Sequence, residues 1–274
     1  VLGERIHGWP GHAIDILATT GTLFGVATSL GLGARQINAG LHELTGLPVS
    51  TAIQISLIAG ITALATVSVV TGLKGGIRFL STFNMTLAAA FLVFVLVFGP
   101  TVYLVELFVD SIGYYIQKLP RTSLMMNPGG ESSWQIDWTL FYWSWWISWS
   151  PFVGIFVARV SRGRTIREFL LGALLVPTLL GFAWFSVMAG TGVSLTQAGV
   201  GSIAEASGDD IKGSAFFAVL RQLPISDVTL TLAVLLIVVF FVTSSDSGSF
   251  VDDMVTSGGD PNPPVQQRVF WAIA

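Results

Sequence analysis

Six stretches of this sequence, roughly 12–33, 50–72, 79–107, 137–158, 168–190 and 228–250, are dominated by apolar residues, and a seventh begins near 265 and stops with the chain. A helix crossing the hydrocarbon core of a bilayer needs about 20 consecutive, mostly apolar residues. Inside lipid every backbone N–H and C=O must find a partner within the protein, which leaves helices as the form such segments can take. The expected fold class is therefore an all-α integral membrane protein, a single transmembrane domain over 1–274 with about six complete spans and a truncated seventh. Charge supports this: only 11% of the residues are charged, against about 25% in soluble domains. Gly21, Gly25, Pro100, Pro151 and Pro177 fall inside the spans, where a membrane bundle tolerates them better than a soluble helix does. The chain opens at Val1 without a basic leader and ends in the apolar run "RVFWAIA", so it reads as an internal piece of a longer protein.

Lysine and arginine placement sets the orientation. With the N-terminus inside, the inner loops hold Arg5, Lys74, Arg78, Arg159, Arg162, Arg164, Arg167 and Arg268, and the outer ones hold Arg35, Lys118, Arg121, Lys212 and Arg221. Short loops near helix ends carry the orientation signal, and "ARVSRGRTIRE" dominates it with four arginines. Two outer loops are expected, at about 108–136 and 191–227. Within the first, "VDSIGYYIQKL" fits an amphipathic helix on the outer face and an ordered loop with a helical turn or two equally well. A net charge of -3 and the absence of cysteine give no sign of nucleic-acid binding, disulfides or thiolate metal sites. His7, His12 and His42 are scattered and suggest no metal site.

The segment "FYWSWWISWSPF", residues 141–152, concentrates Trp143, Trp145, Trp146 and Trp149. Trp134 and Trp138 sit where this span begins and fit the interfacial aromatic belt. Trp149 lies near the midpoint between Asp137 and Arg159, too deep for a belt. Positions 145, 149 and 152 share one helical face by their spacing, with Trp146 adjoining. Helix packing is one reading of such a stripe, although membrane helix contacts prefer small residues. Binding is the other. Trp faces attract cations by roughly 2 kcal/mol when desolvated, and no Asp or Glu occurs from 138 to 158. A quaternary ammonium, which has no N–H to donate, or a zwitterion suits a site of that kind.

The run Thr243, Ser244, Ser245, Asp246, Ser247 follows the apolar "TLAVLLIVVFF". It reads either as the cytoplasmic exit of a span or as an intramembrane ion path. Asp246 fits a proton relay or a structural hydrogen-bonding role, and the structural role is the better fit. Asp15 lies close to His12 and reads as interfacial. No catalytic or nucleotide-binding motif is found, so no enzyme and no catalytic residue is expected.

Three segments, "SLGLG" at 29–33, "FYWSWWISWSPFVGIFVARVSRGRTIREF" at 141–169 and "FFVTSSDSGS" at 240–249, resemble signature segments of the betaine/choline/carnitine transporter family, and the resemblance covers essentially the full chain. It implies a secondary transporter with the inverted-repeat fold of sodium/leucine-type transporters and a substrate site near the bilayer midplane. Trp146 matches a tryptophan of the family's aromatic substrate box, with Trp145 and Trp149 as its neighbours on the substrate pathway. Thr243, Ser244 and Phe240 match a sodium site, and Thr22 with Phe152 a second one. Val26 departs from the pattern: sodium-coupled relatives can carry a threonine there, and a valine side chain offers a hard cation no oxygen. The resemblance further implies glycine betaine, choline or carnitine as substrate and sodium as coupling ion, in a multi-pass plasma-membrane protein that trimerises in the bilayer. Proton-coupled choline uptake or substrate exchange are the alternatives within the family. A membrane sensor or channel with an aromatic ligand site is the alternative from another class.

Overall fold

A computed structural model describes residues 8–71, 74–126, 133–200, 214–260 and 263–274. Arg5, His7 and Lys212 lie outside the described residues, as do the side chains of Lys74, Arg78 and Arg159. The described residues are almost entirely helical, in ten α-helices in chain order: α1 (Trp9–Thr45), α2 (Thr51–Thr71), α3 (Lys74–Phe98), α4 (Thr101–Ser123), α5 (Phe141–Val160), α6 (Ile166–Leu170), α7 (Val176–Gln197), α8 (Ser214–Arg221), α9 (Ser226–Thr256) and α10 (Val265–Ile273). π-Helical turns at Gln135–Leu140 and Leu171–Leu175 run into α5 and join α6 to α7. Five helical stretches among the described residues are long and apolar enough to cross a membrane: Trp9–Thr45, Thr51–Ser68, Leu80–Phe98, Ile166–Gln197 and Ser226–Thr256. The expected span 137–158 is helical but not among them, because indole rings and serine hydroxyls dilute its apolar character.

Other boundaries differ from the sequence reading for identifiable reasons. α1 runs well past residue 33, with Pro10 in its first turn, to Gly46, whose left-handed backbone (φ 74°) returns its N–H to the His42 carbonyl at 2.8 Å. Glycine takes that conformation without strain. At 1.5 Å per residue these 37 residues extend to about 55 Å, well beyond the hydrocarbon core. Buried Asn38 then fixes the turn into α2, accepting from Ser50 N–H at 3.1 Å and donating to the Pro48 carbonyl at 3.2 Å. The expected span 79–107 is two helices broken at Gly99 and Pro100, since proline cannot supply the N–H that a continuing helix needs. Beyond the break, most of the segment expected as an outer loop is α4, so the helical reading of "VDSIGYYIQKL" is the one observed. Within α5, Pro151 leaves the Ile147 carbonyl without its helical donor, and Ser150 Oγ donates to that carbonyl at 2.8 Å. Thr165 and Glu168 form a reciprocal capping box where the arginine loop enters α6.

α1 and α9 form the centre, packed antiparallel. Val26 lies against Gly248, Gly33 against Phe241, and Gly40 against Val234 and Phe217. Each step of seven residues along α1 is matched by seven in the opposite sense along α9, the repeat of a helix pair that keeps one seam facing its partner. A β-carbon on Gly248 would stand 2.8 Å from Val26 Cγ2, one on Gly40 would stand 2.6 Å from Val234 Cγ2, and one on Gly33 would enter the Phe241 ring. Around this seam Ile37, Val95, Leu104, Phe217, Leu220 and Leu230 make the core. At the Glu43 end of the seam Arg221 pairs with Asp227 Oδ1 at 2.6 Å and with Glu43, tying α8 to the start of α9 and the end of α1.

Gly33→Ala in the complete gene product that includes this chain is expected to cost about 1–3 kcal/mol, the usual range for overpacking. A clear fall in the detergent melting temperature would register it. Gly31→Ala, two residues away with open space around it, is expected to leave the melting temperature unchanged or slightly raised.

Candidate functional site

The aromatic segment is mounted on α5, and α1 holds it. Trp145 and Trp149, one turn apart, both donate their indole N–H to Ser29 Oγ of α1, at 3.1 and 3.2 Å. Ser29 Oγ in turn donates to the Gly25 carbonyl at 3.0 Å. α1 offers α5 a stripe of small residues four apart: Gly21, Gly25, Ser29. At Gly25 a β-carbon would stand 2.8 Å from Trp149 Cδ1, and at Gly21 it would touch the Ser148 backbone at 3.4 Å. Only because those side chains are missing does the Trp149 ring lie on the helix.

The rings continue along α5. Trp149 meets Phe152 edge-on at 5.0 Å between centroids, and Phe152 approaches Phe156 at 6.2 Å. Trp145 lies 5.8 Å from both Phe141 and Tyr142, and Tyr142 stacks on Trp138 at 5.8 Å. Trp138 and Trp134 are both exposed. Trp146 takes a different direction and is 67% exposed. The sequence-predicted aromatic set is thus divided: Trp145 and Trp149 are fixed against α1, and Trp146 presents an open face.

The hydroxyl groups fall into two sets. Thr22 is 2% exposed and its Oγ1 donates to the Ala18 carbonyl at 2.9 Å, while Phe152 is buried on the neighbouring α5. Thr243 Oγ1 lies 2.9 Å from the Val239 carbonyl and 3.0 Å from that of Phe240. Ser244 is half-buried and Phe240 exposed. Thr22 precedes Val26 on α1 and Thr243 precedes Gly248 on α9, so in the antiparallel pair the two sets lie on opposite sides of the Val26–Gly248 contact. The structure does not bring them together. Hydroxyls and helix-end carbonyls are the right donors for a hard cation, and among the described residues no cluster of three His, Asp or Glu could hold a metal. Val26, whose side chain offers no oxygen, fills the space over Gly248. Asp246 is buried and accepts from Ser68 Oγ of α2 at 3.0 Å, a bond between two helices and not to the backbone of its own.

Ser29 carries the site's geometry and was given no role by its type or position alone. The signal for it was the four-residue repeat of small residues through Gly21, Gly25 and Ser29, which marks where another helix comes close. Arg35 lines a shallow cleft with Gly31, Gln54 and Phe141.

Comparison with known proteins gives a consistent result. The profile of the betaine/carnitine/choline family transporters matches residues 1–274. An uncharacterized transporter of Mycobacterium tuberculosis is 49% identical over 98% of this chain and 45% of its own length. The glycine betaine transporter OpuD of Bacillus subtilis is 47% identical over 100% of this chain and 53% of its own. The ectoine/glycine betaine/proline transporter EctP of Corynebacterium glutamicum is 42% identical over 99% and 45% respectively. The chain therefore spans about half the length of these relatives.

Ser29→Ala removes the acceptor from two indole N–H groups at once. An orphaned buried donor costs about 1–3 kcal/mol, so the variant is expected to melt lower and to show altered tryptophan emission. A melting curve and an emission spectrum matching the unsubstituted protein would contradict the arrangement.

Proposed function

The chain belongs to the betaine/carnitine/choline family of transporters, and we propose that it works in a secondary transporter moving a quaternary ammonium osmolyte, with glycine betaine ahead of choline and carnitine, across the plasma membrane. The observation that carries this reading is the aromatic wall of α5. The Trp145 and Trp149 N–H groups are both committed to Ser29, so what they can offer a ligand is ring face. A methylated ammonium binds ring faces and donates no hydrogen bond. The exposed Trp146 supplies a further face for the substrate box. The names of OpuD and EctP, both glycine betaine transporters, support the substrate class.

Sodium symport fits the hydroxyls of Thr243 and Ser244 with Phe240 beside them, and Thr22 with Phe152 is the second candidate ion position. Sodium is a transported partner in this scheme, and no resident cofactor is invoked. Proton-coupled choline uptake and substrate exchange are the alternatives. Alternating access would come from one helix group rocking against the other within an inverted-repeat bundle. Homotrimeric assembly in the lipid bilayer belongs to the same reading and rests on the family resemblance alone.

Uptake of labelled glycine betaine and of choline by the complete gene product, in cells lacking their own carriers, tests this reading. Each is measured with sodium, with potassium in its place, and with a protonophore. Sodium-dependent glycine betaine uptake is expected. With about 2 kcal/mol from one desolvated ring, Trp146→Leu should raise KM about tenfold or more, and Thr243→Ala should raise the sodium concentration needed for half-maximal rate. Saturable binding without accumulation would favour a sensor or channel, and uptake of neither compound would overturn the substrate class.

A further inference from the structure

Near the turn from α1 into α2 a groove of about 360 Å³ opens between the two helices, with Phe141 at the start of α5 on its wall. Asn38, bonded to the Ser50 N–H and the Pro48 carbonyl, fixes the level of one helix against the other. Arg35 of α1 and Thr51 and Gln54 of α2 therefore line the end of the groove nearest the turn. Gly31 and Ala27 lead away from that end along α1, as Ile55 and Ile58 do along α2. From Arg35 to Ala27 the helix covers about 12 Å.

Polar and apolar groups are sorted along this groove. At the turn end Arg35 and Thr51 are exposed and Gln54 half-buried, and among the described residues none of their side chains makes a hydrogen bond or ion pair. Away from the turn the lining is apolar, with Leu32 38% and Ile55 61% exposed. Thr28 hides its polarity there by donating to the Phe24 carbonyl at 2.8 Å. A β-carbon on Gly31 would have nothing within 4 Å, so the floor is open. No Asp or Glu lines the groove, and the first turn of α2 carries none.

A guanidinium without a carboxylate attracts phosphate, whose oxygens it meets with two parallel N–H bonds. Apolar surface running inward from it suits hydrocarbon. We infer that the groove holds an anionic phospholipid, its phosphate on Arg35, Gln54 and Thr51 and one acyl chain along Gly31, Leu32, Ile55 and Ile58. Basic pockets between membrane helices hold headgroups in this manner, and the leaflet is the outer one on the orientation expected from the lysines and arginines. The headgroup class follows from the charges. A zwitterionic headgroup would bring an ammonium that finds no carboxylate in the groove, whereas a glycerol headgroup adds only hydroxyls. Arg221 contrasts with Arg35, since Glu43 and Asp227 already neutralise it. A free phosphate would leave the apolar stretch uncovered.

Native mass spectrometry of the complete gene product tests this, with phosphatidylglycerol and phosphatidylethanolamine of the same acyl chains as probes. Phosphatidylglycerol is expected to bind in preference. Arg35→Gln should weaken its tightest site about fivefold, the worth of one basic side chain near a membrane surface, with no partner in the fold to lose. Gly31→Leu, which fills the floor and leaves the charge alone, should weaken the same site. Arg162→Gln in the arginine loop should leave it unchanged. No loss in either groove variant, or an equal loss in Arg162→Gln, overturns the inference, as does inorganic phosphate displacing the lipid at equal concentration. A photoreactive residue in place of Ile55 identifies the occupant in the membrane. Attachment to phosphatidylglycerol is expected; attachment to another part of the same polypeptide or to a second copy shows the groove filled by protein and overturns the assignment. These outcomes do not depend on which substrate is transported.

Discussion

The architecture depends on how closely α1 and α9 approach. In a bilayer no hydrophobic drive separates helix from lipid, so helices associate through close packing and interhelical hydrogen bonds. The seam meets that requirement by pairing large against none: Val26 over Gly248, Phe241 over Gly33, Val234 and Phe217 over Gly40. The glycine comes from α9 at the first of these levels and from α1 at the other two, so neither helix is uniformly thin. The same helix then presents a different small stripe to α5, through Gly21 and Gly25. α1 is thus the common wall against which both α9 and the aromatic helix α5 are positioned.

Much of this was legible in the sequence because membrane helices announce themselves by length and apolarity. The existence of helices at each expected span follows from that, as does the membrane class. Boundaries were harder. Nothing in hydropathy alone ends the third span at Gly99, since apolar residues continue to Leu107; the break comes from one missing N–H at Pro100. α1 overruns its expected end because Asn38 and Arg35 lower the local hydropathy without opposing helix formation. Trp145, Trp146 and Trp149 could be named from the sequence, but their division could not. Consecutive residues on a helix point about 100° apart, and which direction meets α1 depends on a partner far away in the chain.

The polar groups follow a similar logic. The hydroxyls of Thr22, Thr243, Ser247 and Ser249 turn back onto their own helix carbonyls four residues earlier, which satisfies them without a tertiary partner. A hydroxyl so engaged still keeps lone pairs for a cation. Ionised carboxylates have no such local solution, because the carbonyls they face are also acceptors. This is why the acids of α9 must look to other helices, Asp246 to Ser68 and Asp253 to the neighbourhood of Arg268, while the hydroxyls need not.

Ser29 has one proton and two lone pairs, and all three are engaged: the proton by Gly25, the lone pairs by Trp145 and Trp149. An atom at its valence limit accepts no third donor, so water or a competing side chain reaches it only by displacing an indole. The two tryptophans therefore share a single point of failure. A slide of α5 along α1 strains both bonds together, so the two indoles are held, or let go, as a pair.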